Sequence, residues 1–211
     1  MKGPTLAYIA TFTYLIPPVA AVSRFRSLDR AMRIFFLYSL VSFLEVLTEY
    51  ILGAKGINNA FISNYSDFIE CVSFSIVYSI STEERRIKVV IRALALLFIC
   101  AWAVNKMYFE TPGQINGQIA VVSRTFIIVI SVLIIQTLLK NTDTLITNQP
   151  MFWVSAGSIL YSAGVLVIFG LSNEIIKHSM AYFQIAWHIN WSLIIVTNLM
   201  FTKGLLCRVK K

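Results

Sequence analysis

Six ionisable side chains, Glu45, Glu49, Asp67, Glu70, Arg124 and His188, sit inside stretches of this 211-residue chain that are otherwise apolar. Charge is costly in hydrocarbon, so side chains of this kind face a bundle interior or a cavity and point to a functional site. Four carboxylates with one arginine cannot all stay ionised at low dielectric. Arg124 keeps its charge and is expected to pair with one or two of the acids. The others then take up protons or hold a cation. His188 would tune such a site with pH, and Asn190 beside it adds an uncharged hydrogen-bonding group. The competing reading is a buried polar network that only fixes helix packing.

Several chemistries are open to these residue types. His188 with the acids offers metal donors, but zinc sites draw on several His or Cys ligands. The chain has two histidines, and His178 falls in an expected connector. No metal and no cofactor is therefore expected. The order Cys71, Arg124, His188 is similar to that of membrane-embedded transpeptidases of the exosortase class. The flanking residues Glu70-Cys71-Val72-Ser73 and Ser123-Arg124-Thr125 depart from that class, so an enzyme is not the expectation. A retinal pigment needs a mid-helix lysine near the end of the chain, and Lys203 lies at a span terminus. No phosphate-binding loop, dinucleotide fingerprint, HExxH or GxSxG occurs.

The elements that must position these groups are membrane spans. The chain is 57% hydrophobic and only 13% charged, about half the charged share of a soluble domain. Apolar runs of about 20 residues, the length that crosses a bilayer, recur at roughly 5–22, 34–52, 60–80, 87–105, 118–139, 151–171 and 183–202. These predict an all-α, polytopic fold: one seven-helix domain over residues 1–211 in contact with lipid. Turn chemistry marks the connectors at Gly53 to Asn59, Pro112-Gly113, Asn116-Gly117, Asn141 to Pro150 and Ser172-Asn173. Ser81-Thr82-Glu83-Glu84 predicts a capping box, and Pro17-Pro18 a kink or local unwinding of the first span. Small residues in the sixth span (Ser155, Ala156, Gly157, Ser158, Ser162, Ala163, Gly164) allow close helix approach or self-association. Cys71, Cys100 and Cys207 have no metal-type or disulfide-framework spacing and read as small buried hydrophobes.

Loop charge sets the orientation. Arg24, Arg26, Arg30, Arg33, Arg85, Arg86, Lys88, Arg92, Lys140, Lys203, Arg208, Lys210 and Lys211 fall on one side, against Lys2, Lys55, Lys106 and Lys177 on the other. By the positive-inside rule the N-terminus is out and the C-terminus in. The net charge of +8 is then topological signal and headgroup contact, not a nucleic-acid footprint. Arg24 and Arg26 directly after the first span favour an uncleaved helix over a signal peptide. With that orientation the six ionisable residues all fall in the outer half of the membrane, about 5–15 Å from the outer helix ends. Glu45 and Glu49 share a face at i,i+4, as do Asp67 and Glu70 at i,i+3, with Tyr65, Ser66 and Ser73 on or near the latter stripe.

Tyr14-Leu15-Ile16-Pro17, Glu45, Phe152-Trp153 with Ser155 and Gly157, and Trp187-His188 with Asn190 resemble an uncharacterised family of small bacterial seven-helix membrane proteins. The layout is also similar to the seven-helix sensing halves of some bacterial receptors. The resemblance implies an inner-membrane location and a seven-helix fold, and says little about mechanism. The expectation is an outward-facing acidic pocket that binds or senses a small polar or cationic ligand, or a subunit that meets a membrane or cytoplasmic protein partner. A proton-coupled transporter is the alternative. Seven spans match the three-plus-one-plus-three layout of the SWEET and PQ-loop carriers, but the two halves show no similarity and contain no Pro-Gln motif. Inner-half polarity is limited to hydroxyls such as Ser39, Ser42, Tyr161 and Ser162.

Overall fold

The structure, a computed structural model, describes residues 5–109, 117–140, 145–178 and 180–207, with side chains described throughout these except at 60 and 169–183. Pro112-Gly113, Asn116, Asn141, Lys2, Arg208, Lys210 and Lys211 lie outside the described residues, and Lys177 and His178 are described in backbone only. Among the described residues the chain is helical without strands. The elements are α1 (Thr5–Thr13), α2 (Ile16–Val22), α3 (Arg30–Ala54), α4 (Ala60–Ser81), α5 (Arg85–Tyr108), α6 (Gly117–Lys140), α7 (Pro150–His178) and α8 (Met180–Leu206). With α1 and α2 taken as one interrupted rod, six of the seven rods are long and apolar enough to cross a membrane. The chain is thus a multi-pass membrane protein.

The exception is α4, too polar to qualify by composition. Its position explains why it can be. α4 packs against α3, α5 and α6, and of the residues with described side chains only Phe61, Tyr65 and Ile76 are exposed. A helix sheltered on three sides owes little to lipid, and its polar groups are free to face protein. The rods close a ring in the order α1/α2, α3, α4, α6, α7, α8, with α5 laid against α4 and α6 from outside.

Local chemistry sets the helix ends. Asp29 caps α3, its Oδ1 accepting from the Met32 amide at 2.8 Å, so this helix begins earlier than the apolar run at 34. At its other end Gly56, with φ of 69°, lets the chain turn back. The Gly56 amide donates to Gly53 O and the Ile57 amide to Leu52 O, each at 3.0 Å, a Schellman close that starts the α3–α4 hairpin. The capping box at Ser81–Glu84 does not form. Ser81 donates to Tyr78 O, ending α4, while the Glu84 carboxylate is taken by Lys140 at 2.9 Å. The turn expected at Ser172-Asn173 is also absent, since α7 continues to His178. Those polar residues mark where the apolar stretch stops, not where the helix does.

The prolines act as expected. Pro17 and Pro18 fall in the first turn of α2, and the rod is interrupted at Tyr14-Leu15. The small residues Gly157 and Gly164 of α7 serve packing within the chain. A Cβ on Gly157 would stand 3.1 Å from the Phe201 ring, and one on Gly164 would overlap Leu193, both on α8. Gly157→Val should therefore cost about 1–3 kcal/mol by overpacking. Thermal unfolding in detergent should show this loss, while Gly117→Ala, with open space around it, changes little.

Candidate functional site

Inside the ring lies a cavity of about 360 Å³, within the size range of small-molecule sites. Each ring rod contributes and α5 does not. From α3 come Tyr38, Ser42, Glu45 and Glu49, and from α4 Ser63, Asn64, Ser66, Asp67 and Glu70. α6 supplies Arg124, α7 Ser158 and Tyr161, the α1 end Thr11 and Tyr14, and α8 Trp187, Asn190, Trp191 and Asn198. Glu45, Glu49, Asp67, Glu70, Arg124 and Asn190 are thus gathered on one space.

His188 is not among them. It is exposed, its Nδ1 stands 2.6 Å from Gln184 O, and its ring lies edge-on behind Trp191 at 5.2 Å. Helix geometry gives the reason. The cavity face of α8 follows 187, 190, 191, 194, 197, 198 and 201, and residue 188 points about 100° away from 187. The Cys71, Arg124, His188 constellation does not assemble either. Cys71 is buried with its Sγ 3.4 Å from Ser123 Oγ and does not line the cavity. Tyr65 and Ser73 leave the expected stripe: Tyr65 turns to Trp102 of α5 at 5.8 Å between ring centroids, and neither lines the cavity.

The charges divide into two groups. Arg124 is 8% exposed and Asp67 7%, and Arg124 Nη2 donates to Asp67 Oδ1 at 2.6 Å. Asp67 also accepts from Ser123 Oγ at 3.2 Å. Arg124 Nη1 lies 2.6 Å from Glu70 Oε2. The two groups are an ion pair, and by geometry Nη1 and Nε have no hydrogen-bond acceptor among the described residues. The guanidinium also stacks over the Tyr161 ring at 5.3 Å. One cation is thus held by two acids from successive turns of α4.

Glu45 and Glu49 form the second group. Ser63 Oγ donates to Glu49 Oε1 at 3.0 Å, and the Ser66 hydroxyl faces the Glu45 carboxylate. Among the described residues no basic side chain pairs with either acid. Both are only part-buried on the cavity wall. The cavity therefore carries more acidic than basic side chains among the described residues. No three His, Cys, Asp or Glu side chains among the described residues are grouped to hold a metal ion.

Away from the α3–α4 turn the cavity ends on rings. Phe201 lines it, packing on Phe35 at 5.0 Å, and Tyr38 packs on Phe74 at 5.2 Å. Phe35, Phe74 and Tyr78 behind them are fully buried. Tyr14, Tyr38, Asn64 and Asn198 are site residues that sequence reasoning missed. Asn198 had a signal, since it lies two helical turns plus one residue from Asn190 on the same face. Tyr14 and Tyr38 had none, because a tyrosine in an apolar run looks alike whichever way it points.

No family model, curated protein or solved structure matches the chain.

The two charge groups should respond differently to substitution. Arg124→Leu leaves two buried carboxylates without a cation and should cost about 3–5 kcal/mol. Glu45→Gln should stay within about 1 kcal/mol, because a part-buried acid loses only a weak hydroxyl contact. Thermal unfolding of both variants in one detergent checks the contrast. Equal losses would mean that all four acids form one structural network.

Proposed function

We propose that this chain is a seven-span bacterial inner-membrane binding protein whose cavity opens outward and holds a small polar cation. The observation that carries the reading is the pair Glu45 and Glu49, which no basic side chain among the described residues pairs with, on a cavity whose Arg124 is already matched by Asp67 and Glu70. A site with more acidic than basic groups and low-dielectric walls favours a cation.

Loop charge supports the orientation, and packing is consistent with it. The Arg24 guanidinium donates to Leu206 O at the end of α8, and Lys140 pairs with Glu84 before α5. The basic ends of the rods therefore sit on one side of the bundle, opposite the α3–α4 turn near Glu49. In this arrangement α4 is the seventh crossing, carried by its neighbours. A reporter fused after Lys211 should be active only in the cytoplasm, and one inserted at Lys55 only outside. The reverse pattern would turn the cavity inward.

The lining rings of Tyr38 and Phe201, backed by the buried Phe35 and Phe74, favour a binding pocket over a transport path. Titration of the detergent-purified protein with n-butylammonium chloride at fixed ionic strength should give saturable binding. Glu45→Gln with Glu49→Gln should weaken it at least tenfold, and His188→Ala should leave it unchanged. Vesicles holding the protein should not accumulate the amine. Accumulation driven by a proton gradient would instead establish the transporter reading.

A further inference from the structure

Three tyrosines stand around the buried triad, and their hydroxyls are not equivalent. Tyr38, from α3, faces Glu70 and Ser42, so its hydroxyl has partners. Tyr161, from α7, lies with its ring under the Arg124 guanidinium at 5.3 Å. Tyr14 comes from the break between α1 and α2, and its strongest electrostatic neighbours are Tyr161, Glu70 and Arg124, in that order. Tyr14 and Tyr161 both line the cavity, and among the described residues neither hydroxyl has a hydrogen-bond partner. Enclosed tyrosines usually find one. Glu49 lies within electrostatic reach of both hydroxyls, and Glu45 within reach of Glu49 and Glu70. The two hydroxyls and the two acids that no basic side chain pairs with therefore share one small space.

Charge decides what can complete these hydroxyls. Each phenol has one O–H to donate and needs an acceptor, and an ammonium, which has only donors, cannot supply it. A carboxylate could accept. Arg124, however, is already matched by Asp67 and Glu70, so a further anion beside them meets like charge. An uncharged oxygen, as in an alcohol or an amide, accepts without that cost. The polar lining from α1 and α8, with Thr11, Asn190, Thr197 and Asn198, is likewise uncharged. We infer that Tyr14 and Tyr161 bind an uncharged hydrogen-bonding oxygen of the ligand whose ammonium end meets Glu45 and Glu49. The cavity then takes amino alcohols or amino amides in preference to simple alkylamines and to amino acids. This rests on the cation-binding reading above and narrows its ligand class.

Calorimetric titration of the full chain in detergent, at neutral pH and constant ionic strength, compares amines of similar length: n-butylammonium, propanolamine, β-alaninamide and β-alanine. Propanolamine and β-alaninamide should bind about fivefold tighter than n-butylammonium or better, the worth of one neutral hydrogen bond. β-Alanine should bind more weakly than n-butylammonium. Tyr14→Phe and Tyr161→Phe keep the rings and remove only the hydroxyls. Each should reduce the preference for propanolamine, and together they should erase it, while n-butylammonium affinity stays within about threefold. Equal binding of propanolamine and n-butylammonium would overturn the inference and leave the cation pocket standing. So would tightest binding by β-alanine, or a preference that survives in the double variant. If none of these amines binds saturably, the cation reading falls with it. The wild-type series decides between these outcomes even if a tyrosine variant fails to fold.

Discussion

One buried cation between two acids constrains the rest of this molecule. Arg124 with Asp67 and Glu70 sits deep in a bundle whose outer surface is apolar. Such a group cannot face lipid, and its cost is offset only when its charges stay matched and close. That requirement places α4 and α6 side by side with their polar faces inward. It also explains the helix outside the ring. α5 shares no wall of the cavity, yet it packs on α4 and α6, the two helices that carry the triad. Its strongly apolar sequence serves as a lipid-facing apron over the most polar pair in the fold.

Matching within the triad is what frees the other acids. A single arginine facing four carboxylates could have been shared among all of them, which would make the whole layer structural. The i,i+3 spacing of Asp67 and Glu70 instead gives Arg124 two partners from one helix. Glu45 and Glu49, one turn apart on α3, are left with serines from α4. The structural triad and the proposed ligand site therefore fall on different residues. Both lie in one layer, and α4 serves both, through Asp67 and Glu70 to Arg124 and through Ser63 and Ser66 to Glu49 and Glu45.

How much of the site is legible in the sequence follows from what hydropathy and spacing measure. Depth along a span depends only on residue number, so the layer of Glu45, Glu49, Asp67, Glu70 and Arg124 can be read from the chain alone. Direction around a helix is legible only where several polar residues repeat at helical spacing, as on α3 and α4. On α8 the neighbours His188 and Asn190 point to different sides, and the histidine attracts the assignment because of its chemistry. The stripe 187, 190, 191, 194 and 197–198 holds the answer, but its Trp and Ile members carry no polar signal. Helix ends are less legible for a related reason. Asp29 and Gly56 act through individual hydrogen bonds and one backbone angle, and Ser81–Glu84 has the right letters while Lys140, distant in sequence, claims the glutamate.

The interrupted first rod shows how such local chemistry serves the cavity. Pro17 and Pro18 have no N–H, so the carbonyls of Thr13 and Tyr14 lose their usual helical donors. In a bilayer, backbone freed in this way is tolerated only where it is buried in protein or borders a cavity. The break is placed accordingly. Tyr14 lines the cavity, and Thr13 is buried, its hydroxyl accepting from Asn198 Nδ2 at 3.0 Å while donating to Ala10 O. α8 thus fastens the break from inside the ring, one turn from the Phe201 that closes the cavity. A continuous helix here would have no reason to turn this segment inward. The two prolines supply one, because lipid is the one neighbour the broken turn cannot accept, and the inward turn puts a tyrosine ring on the cavity wall.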